Sequence, residues 1–532
     1  MSQGNQKVFL KRNVVLDPLF NHWYAWTHLI PPATAALNVA NHIKIMKSYL
    51  ANPAVHEAAV KDPELMGGPF LDCPVGRADE VAALLERTLS TQARPLELVE
   101  ALKGLDALLQ KETAQGLSLE PLYAKVPAPL RGYVELCYDQ ENRPTFRLFE
   151  SLLYRSPYYN RDSQALELFV SGADARPFML STPRLHDATR LHVRMPLESP
   201  AIDELVRAKW TPLSAGRLRE LLGVTEQQEP VLASLVTETC ESRVSEPYRG
   251  DKVRVRYFGH ACVLVEGGGV SVLTDPLLSY DEEGGIDRYS YSDLPESIDY
   301  VLITHNHQDH AQIETLLHLR HRVKTVLVPR NDSGSLLDPS LKLTLEHLGF
   351  RNVIAMDEMQ TVDFPGGSIL ALPFLGEHGE LLIRTKTGYV VRLGERTVLF
   401  AADSRNIEPE LYAHVHRWVG DVDMMFVGME CAGAPGSWVY GPLMLRPLTR
   451  KQDQARRLNG SGFEQARALV EQFKPRSVWV YAMAQEPWLR HVLGLEYTPE
   501  SIQIIESNRL VAHYRECGLP CERLYGRSEM FL

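Results

Sequence analysis

The chain has 532 residues, 45% hydrophobic and 23% charged, with a formal charge of −11. That length exceeds one ordinary core and asks for more than one domain, and the composition excludes disordered and collagen-like classes. The acidic balance argues against nucleic acid as the main partner, and no apolar run of about 18 residues is present to span a membrane.

Residues 1–7 lack the basic-then-apolar layout of a signal peptide, and the seven cysteines are odd in number and scattered. A cytoplasmic protein with free thiols is expected, Cys517 and Cys521 included.

Residues 1–245 read as a mixed, largely helical α+β domain. Asp79 to Glu86 and Pro95 to Gln110 carry apolar residues at helical spacing, and Pro95 suits a first turn. Residues 131–136 alternate like a strand. Aromatics crowd residues 20–26 and 153–159, which predicts core and interface packing and is compatible with a homodimer. No His, Cys, Asp or Glu cluster here has ligand spacing, so this half is assigned no chemistry.

The pattern changes after Ser245, and residues 246–532 read as short strands joined by glycine turns. Strands are predicted over 253–258, 262–265, 270–274 and 300–303, then a helix over 312–319 and a strand over 325–328. Later strands are predicted at 368–372, 380–385, 389–393, 397–401, 424–427 and 477–481. Strands with interleaved helices imply stacked sheets flanked by helices.

The sharpest signal is Thr304-His305-Asn306-His307-Gln308-Asp309-His310, directly after a buried-type strand. A loop leaving a strand end can aim alternating side chains at one point, so His305 and His307 converge on one ion while Asp309 and His310 reach a second. Burying three imidazoles and a carboxylate together is costly unless a metal or paired partners satisfy them.

Together with the Gly259-His260-Ala261 turn and the Thr274-Asp275-Pro276 step, this run resembles the metallo-β-lactamase superfamily over roughly residues 250 to 485. The resemblance implies an αββα sandwich with a dinuclear metal site, and leaves the reaction open. It implies a bridging aspartate at a strand end, which fits Asp403 after residues 397–401. At the preceding ligand position either Glu377 or His378 fits. No histidine closes the strand at 477–481; His491 either swings in or packs on a helix.

With Glu377 as ligand, His305, His307 and Glu377 hold one ion, and Asp309, His310 and bridging Asp403 the other. A set this rich in carboxylates suits iron or manganese better than zinc. A di-iron site open to O2 is the favoured reading. A di-zinc hydrolase of an ester, thioester or phosphodiester, using His378, is the alternative.

Glu377, Asp403, the length and the domain order also resemble a narrower group, the di-iron β-hydroxylases of nonribosomal peptide pathways. That resemblance implies an oxygenase of antibiotic biosynthesis. It would β-hydroxylate an aromatic amino acid, p-aminophenylalanine, held as a thioester on the phosphopantetheine arm of a carrier domain. It implies two iron ions (oxo-bridged when oxidised), O2 as co-substrate and an external reductase as electron donor. Gly366-Gly367 lacks dinucleotide-loop spacing, so no bound flavin or nicotinamide is expected. The front domain would serve dimerisation or carrier recognition.

Three further expectations concern the pocket and its surroundings. Glu430, after the strand at 424–427, is a candidate contact for substrate or for a ligand. Trp438, Tyr440 and Pro442 are candidate pocket walls. Arg446, Arg450, Lys451, Arg456 and Arg457 form one dense basic stretch that would dock an acidic carrier.

Overall fold

A computed structural model describes residues 5–532, apart from 63–64, 66–68, 112–115, 173, 283–284 and 495. The half that follows Ser245 stacks two seven-stranded sheets. The first carries, in spatial order, Val353–Met356, Val323–Pro329, Ile298–Leu302, Val270–Thr274, Val263–Gly267, Arg254–Tyr257 and Ser528–Phe531. The second carries Thr361–Phe364, Gly367–Leu372, Gly388–Leu393, Arg396–Phe400, Met424–Gly428, Ser477–Tyr481 and Cys521–Arg523. Alternating apolar residues from both, such as Val265, Leu302, Val391 and Phe426, fill the layer between them. Helices Pro409–Val419, Phe463–Phe473 and Ile502–Glu516 contribute apolar faces to the core on the outer side of the second sheet.

The strand expected at 380–385 is a loop. Its backbone amides at Arg384 and Thr385 donate to the Asp338 carboxylate at 2.5 and 3.2 Å, so they are not free for a ladder. The other predicted strands are present with ends shifted by a residue or a few. The helix after the metal run is Ile313–Leu319, and the two front helices extend to Ala78–Thr91 and Ala93–Lys111.

The front half packs helix Pro32–Ala51 against those two helices, beside a sheet ordered Trp23–Tyr24, Val14–Phe20, Gln164–Val170 and Leu191–Arg194. Trp23, Tyr24, Trp26 and Tyr154 point inward and are buried. One apolar core runs from Leu29 and Ile30 of this half to Leu316 and Tyr440 of the other, so the halves share an interior. Among the described residues no helix is long and apolar enough to cross a membrane.

That shared interior braces the metal run. The Thr27 hydroxyl donates to the Asn306 carbonyl at 2.7 Å. Tyr24 and Tyr280 donate to the buried Glu314 carboxylate at 2.7 and 2.6 Å, and Arg176 joins Glu314 to Asp17. Glu314 lies in the helix directly after the run, so the front half holds that helix through buried, paired charges. Their contribution is to geometry more than to net stability. His491, on the short helix Arg490–Leu493, lies buried beside this network, 6.2 Å from the Tyr24 ring, so it packs on a helix and does not swing in to the metal ligands.

Candidate metal centre

The ligand run leaves the first sheet at the end of Ile298–Leu302, whose parallel neighbour Val270–Thr274 ends at Asp275. The second sheet delivers Glu377 beyond Gly367–Leu372 and Asp403 beyond Arg396–Phe400. His260, Asp275, Glu377 and Ala402 all have positive φ, at 52°, 35°, 66° and 49°. These left-handed turns on residues with a Cβ hold strain at the places where loops must swing ligands inward.

Three sets of donor atoms lie within 4.8 Å of one another: His305, His307 and Glu377; His305, His310 and Asp403; His260, Asp309 and His310. The six candidate residues therefore meet at one place. His307 Nδ1 is 2.8 Å from Glu377 Oε1, and His310 Nε2 is 3.0 Å from Asp403 Oδ2. His378 is not in these sets. Its Nδ1 sits 3.0 Å from Glu377 Oε2 and 3.1 Å from His307 Nε2, beside the first group.

Asp275 was legible only as a motif, but it has a specific task. It accepts from the Thr304 amide at 2.7 Å, from the Thr304 hydroxyl at 2.6 Å and from His310 Nδ1 at 2.9 Å. That bond leaves the His310 Nε2 lone pair facing the cluster. His260 Nε2 lies 2.9 Å from Asp309 Oδ2 and was not assigned from sequence. The Tyr440 hydroxyl sits 3.0 Å from His307 Nε2, so it can accept that N–H and leave Nδ1 toward Glu377.

The charges suit a cation. Burial, with the neighbouring imidazoles of His310 and His307, pushes His305 well below the ordinary histidine range, so it is a neutral donor. Against burial, His307 and His378 hold the Glu377 carboxyl at about 2. Against burial, Asp403, Asp309 and Asp275 hold a proton on His310, which a metal would displace.

A cleft of about 660 Å³ opens over the cluster. Asp309, Glu377, Asp403 and Glu430 reach it, with Trp438 on the wall, and Phe178 and Leu180 of the front half also line it. Glu430 is held by the Tyr497 hydroxyl and by Gln503 Nε2 at 3.3 Å. Burial lifts its carboxyl to about 8, against those hydrogen bonds. Tyr440 is buried behind His307, and Trp438 alone of the expected aromatics borders this cleft.

Comparison with known proteins bears on this geometry. Residues 9–240 match the family described as diiron non-heme beta-hydroxylase N-terminal domain, and residues 271–438 match the beta-lactamase superfamily domain. The chain is 41% identical over 531 residues to the 4-amino-L-phenylalanyl-[CmlP-peptidyl-carrier-protein] 3-hydroxylase of Streptomyces venezuelae, covering 98% of this chain and 99% of that protein. The crystal structure of CmlA, a diiron beta-hydroxylase from the same organism, superposes with a TM-score of 0.91 at 41% identity, covering 99% of this chain and 100% of that one. A mutant of CmlA superposes at 0.90 with 40% identity, over 99% and 100% of the two chains. The chain belongs to the CmlA family of diiron non-heme β-hydroxylases. It is an oxygenase with a metallo-β-lactamase-fold domain behind a CmlA-type front domain.

Membership implies two iron ions, and the residues present fit them. His305 Nε2 and Asp403 Oδ1 are buried without a hydrogen-bond partner and belong to the same donor cluster. Buried polar atoms left in this way are costly unless an ion takes them up. Imidazole and carboxylate donors in near-equal number suit iron.

Proposed function

We propose that this hydroxylase places a hydroxyl on Cβ of an aromatic amino acid, p-aminophenylalanine, bound as a thioester to the phosphopantetheine arm of a nonribosomal peptide synthetase carrier domain. Support comes from whole-length identity to a hydroxylase of that carrier-bound amino acid. The observation that carries the chemistry is the buried, carboxylate-rich cluster at the floor of a cleft. His305, His307 and Glu377 would hold one iron, and Asp309, His310 and Asp403 the other. Bound iron supplies reductive activation of O2, which no side chain can supply. The balance is one O2, two electrons and two protons: one oxygen atom enters the Cβ–H bond and the other leaves as water. An external reductase provides the electrons.

The chain's own residues position and protect. Phe178, Leu180 and Trp438 wall the cleft and limit water over the cluster. Glu430 borders the same cleft opposite the ligands, as a proton-holding carboxyl that can pair with the substrate's amine. The di-zinc hydrolase alternative is less supported, since the whole-length relative is a hydroxylase and His378 lies outside the donor set of His305, His307 and Glu377. The test is turnover of carrier-bound p-aminophenylalanine under heavy-isotope O2 with iron and a reductant. One labelled oxygen on Cβ is expected, and an unlabelled or hydrolysed product would reject the proposal.

A further inference from the structure

The cleft over the cluster continues sideways. Leu180, Gly433, Ala434 and Trp438 wall both it and a larger groove of about 2340 Å³. One bank of that groove is helix Pro32–Ala51 of the front half, through Asn41, Lys44 and Ile45. The other is the segment after Glu430, through Pro435, Trp438, Arg450 and Arg457. Trp23 and Trp26 also line it. The groove therefore runs along the junction of the two halves, a preferred place for binding sites.

Where the groove meets the metal cleft, at Leu180, Ala434 and Trp438, it is aromatic and aliphatic. The rest of its lining includes the amide side chains of Asn41 and Gln454. At its banks stand the exposed cations Lys44, Arg450 and Arg457. Lys44 and Arg450 have no ion-pair partner among the described residues. Arg457 gives only its Nε to the Gly433 carbonyl, at 2.8 Å. Arg446 of the same basic stretch, by contrast, is tied to Asp106 at 3.1 Å. Asp453, the acidic group on the wall, is engaged by the Ser437 amide and hydroxyl at 2.9 and 2.7 Å. The sequence-level basic stretch thus divides, and the part on the groove gains a lysine from the other half.

We propose that this groove seats the phosphopantetheine arm, with its phosphate between Lys44, Arg450 and Arg457 and its thioester end under Trp438 in the metal cleft. The inference rests on the carrier-tethered reading and specifies how the tether is held. A long, thin ligand with amide groups along its length and one phosphodiester at the far end matches an apolar mouth shared with the metal cleft, with amide side chains and exposed cations on the banks. Lysine and arginine together give charge-assisted contacts to phosphate oxygens. The front domain then has a defined part, as one bank of the channel.

The experiment titrates 4′-phosphopantetheine, and pantetheine without the phosphate, against the quench of Trp23, Trp26 and Trp438 fluorescence in the iron-loaded protein. The wild type should bind the phosphorylated form at least tenfold tighter, about the weight of one charge-assisted contact. Lys44→Glu with Arg450→Glu should erase that difference at unchanged iron content. Asn41→Leu, which fills the groove with an apolar side chain and leaves all three cations in place, should weaken both probes. Equal binding of the two probes by the wild type, or a preference that survives the double substitution, overturns the groove assignment. Turnover of the loaded carrier separates the two ideas. If the wild type and both variants turn it over at the same rate, the groove is wrong and the carrier reading stands. If the iron-loaded wild type does not turn it over, the carrier reading itself falls.

Discussion

Asp275→Asn is the most informative single change, because it alters one atom that touches no metal. Asp275 is fully buried and takes three hydrogen bonds from Thr304 and His310. Asparagine keeps one carbonyl oxygen, which can go on accepting from the Thr304 amide. Its NH2 then faces the Thr304 hydroxyl, which can rotate to accept, and His310 Nδ1. The imidazole meets that donor only by moving its own proton to Nε2, the atom that faces Asp403 at 3.0 Å. A protonated Nε2 cannot ligate. Loss of such an orienting partner typically costs 10–100-fold in metal affinity, or about 1.4–2.7 kcal/mol. Iron titration of the metal-free variant should give one equivalent bound as in the wild type and a second 10–100-fold weaker. Circular dichroism should be unchanged, since the substitution is nearly isosteric. Two irons bound with wild-type affinity would refute the role assigned to Asp275 and, with it, His310 Nε2 as a ligand.

Glu377→Ala should cut iron from two equivalents to about one per chain and abolish hydroxylation, while a variant that keeps both irons would remove Glu377 from the ligand set. Gly428→Ala should weaken iron binding at least tenfold by metal titration. A Cβ there would lie 2.5 Å from Asp403 Oδ1 and 2.6 Å from the Ala402 carbonyl, and the carboxylate must move. Glu430 should leave a pH signature in stability. Its carboxyl is raised to about 8 in the fold from 4.5, so the unfolded chain gives up this proton first. Stability should fall as pH rises between those values and flatten above them, by a few kcal/mol at about 1.4 kcal/mol per unit, moderated because the group borders the cleft. In urea titrations of metal-free protein, Glu430→Gln should be flatter than wild type over that window, and parallel curves would contradict the assignment.

How much of this was legible depended on sequence distance. His305, His307, Asp309 and His310 are contiguous and follow a strand, so local pattern alone places them together. Asp403 was readable because a strand end announces it. Glu377 and His378 are neighbours on one turn, so spacing alone does not separate them; in the fold Glu377, with φ of 66°, is the one in the donor sets. The task of Asp275 depends on a parallel pairing between Val270–Thr274 and Ile298–Leu302 that no local pattern reports. The loop at 380–385 resembled a strand because Leu381, Leu382 and Ile383 form a short apolar run, yet the amides of Arg384 and Thr385 are claimed by Asp338, 46 and 47 residues away in sequence. His491 packs on a helix, as one of its two sequence readings has it, but the groups it packs against, Tyr24 and Arg176, belong to the other half of the chain and no local pattern names them. Lys44 could not be grouped with Arg450 and Arg457 until the two halves were seen to share one groove.

Metal analysis of the purified, active protein tests the central claim most directly. The account predicts two equivalents of iron per chain, lost together with hydroxylation on chelation and restored together by ferrous iron. Two equivalents of zinc in the active enzyme, with no activity gained from iron, would contradict it.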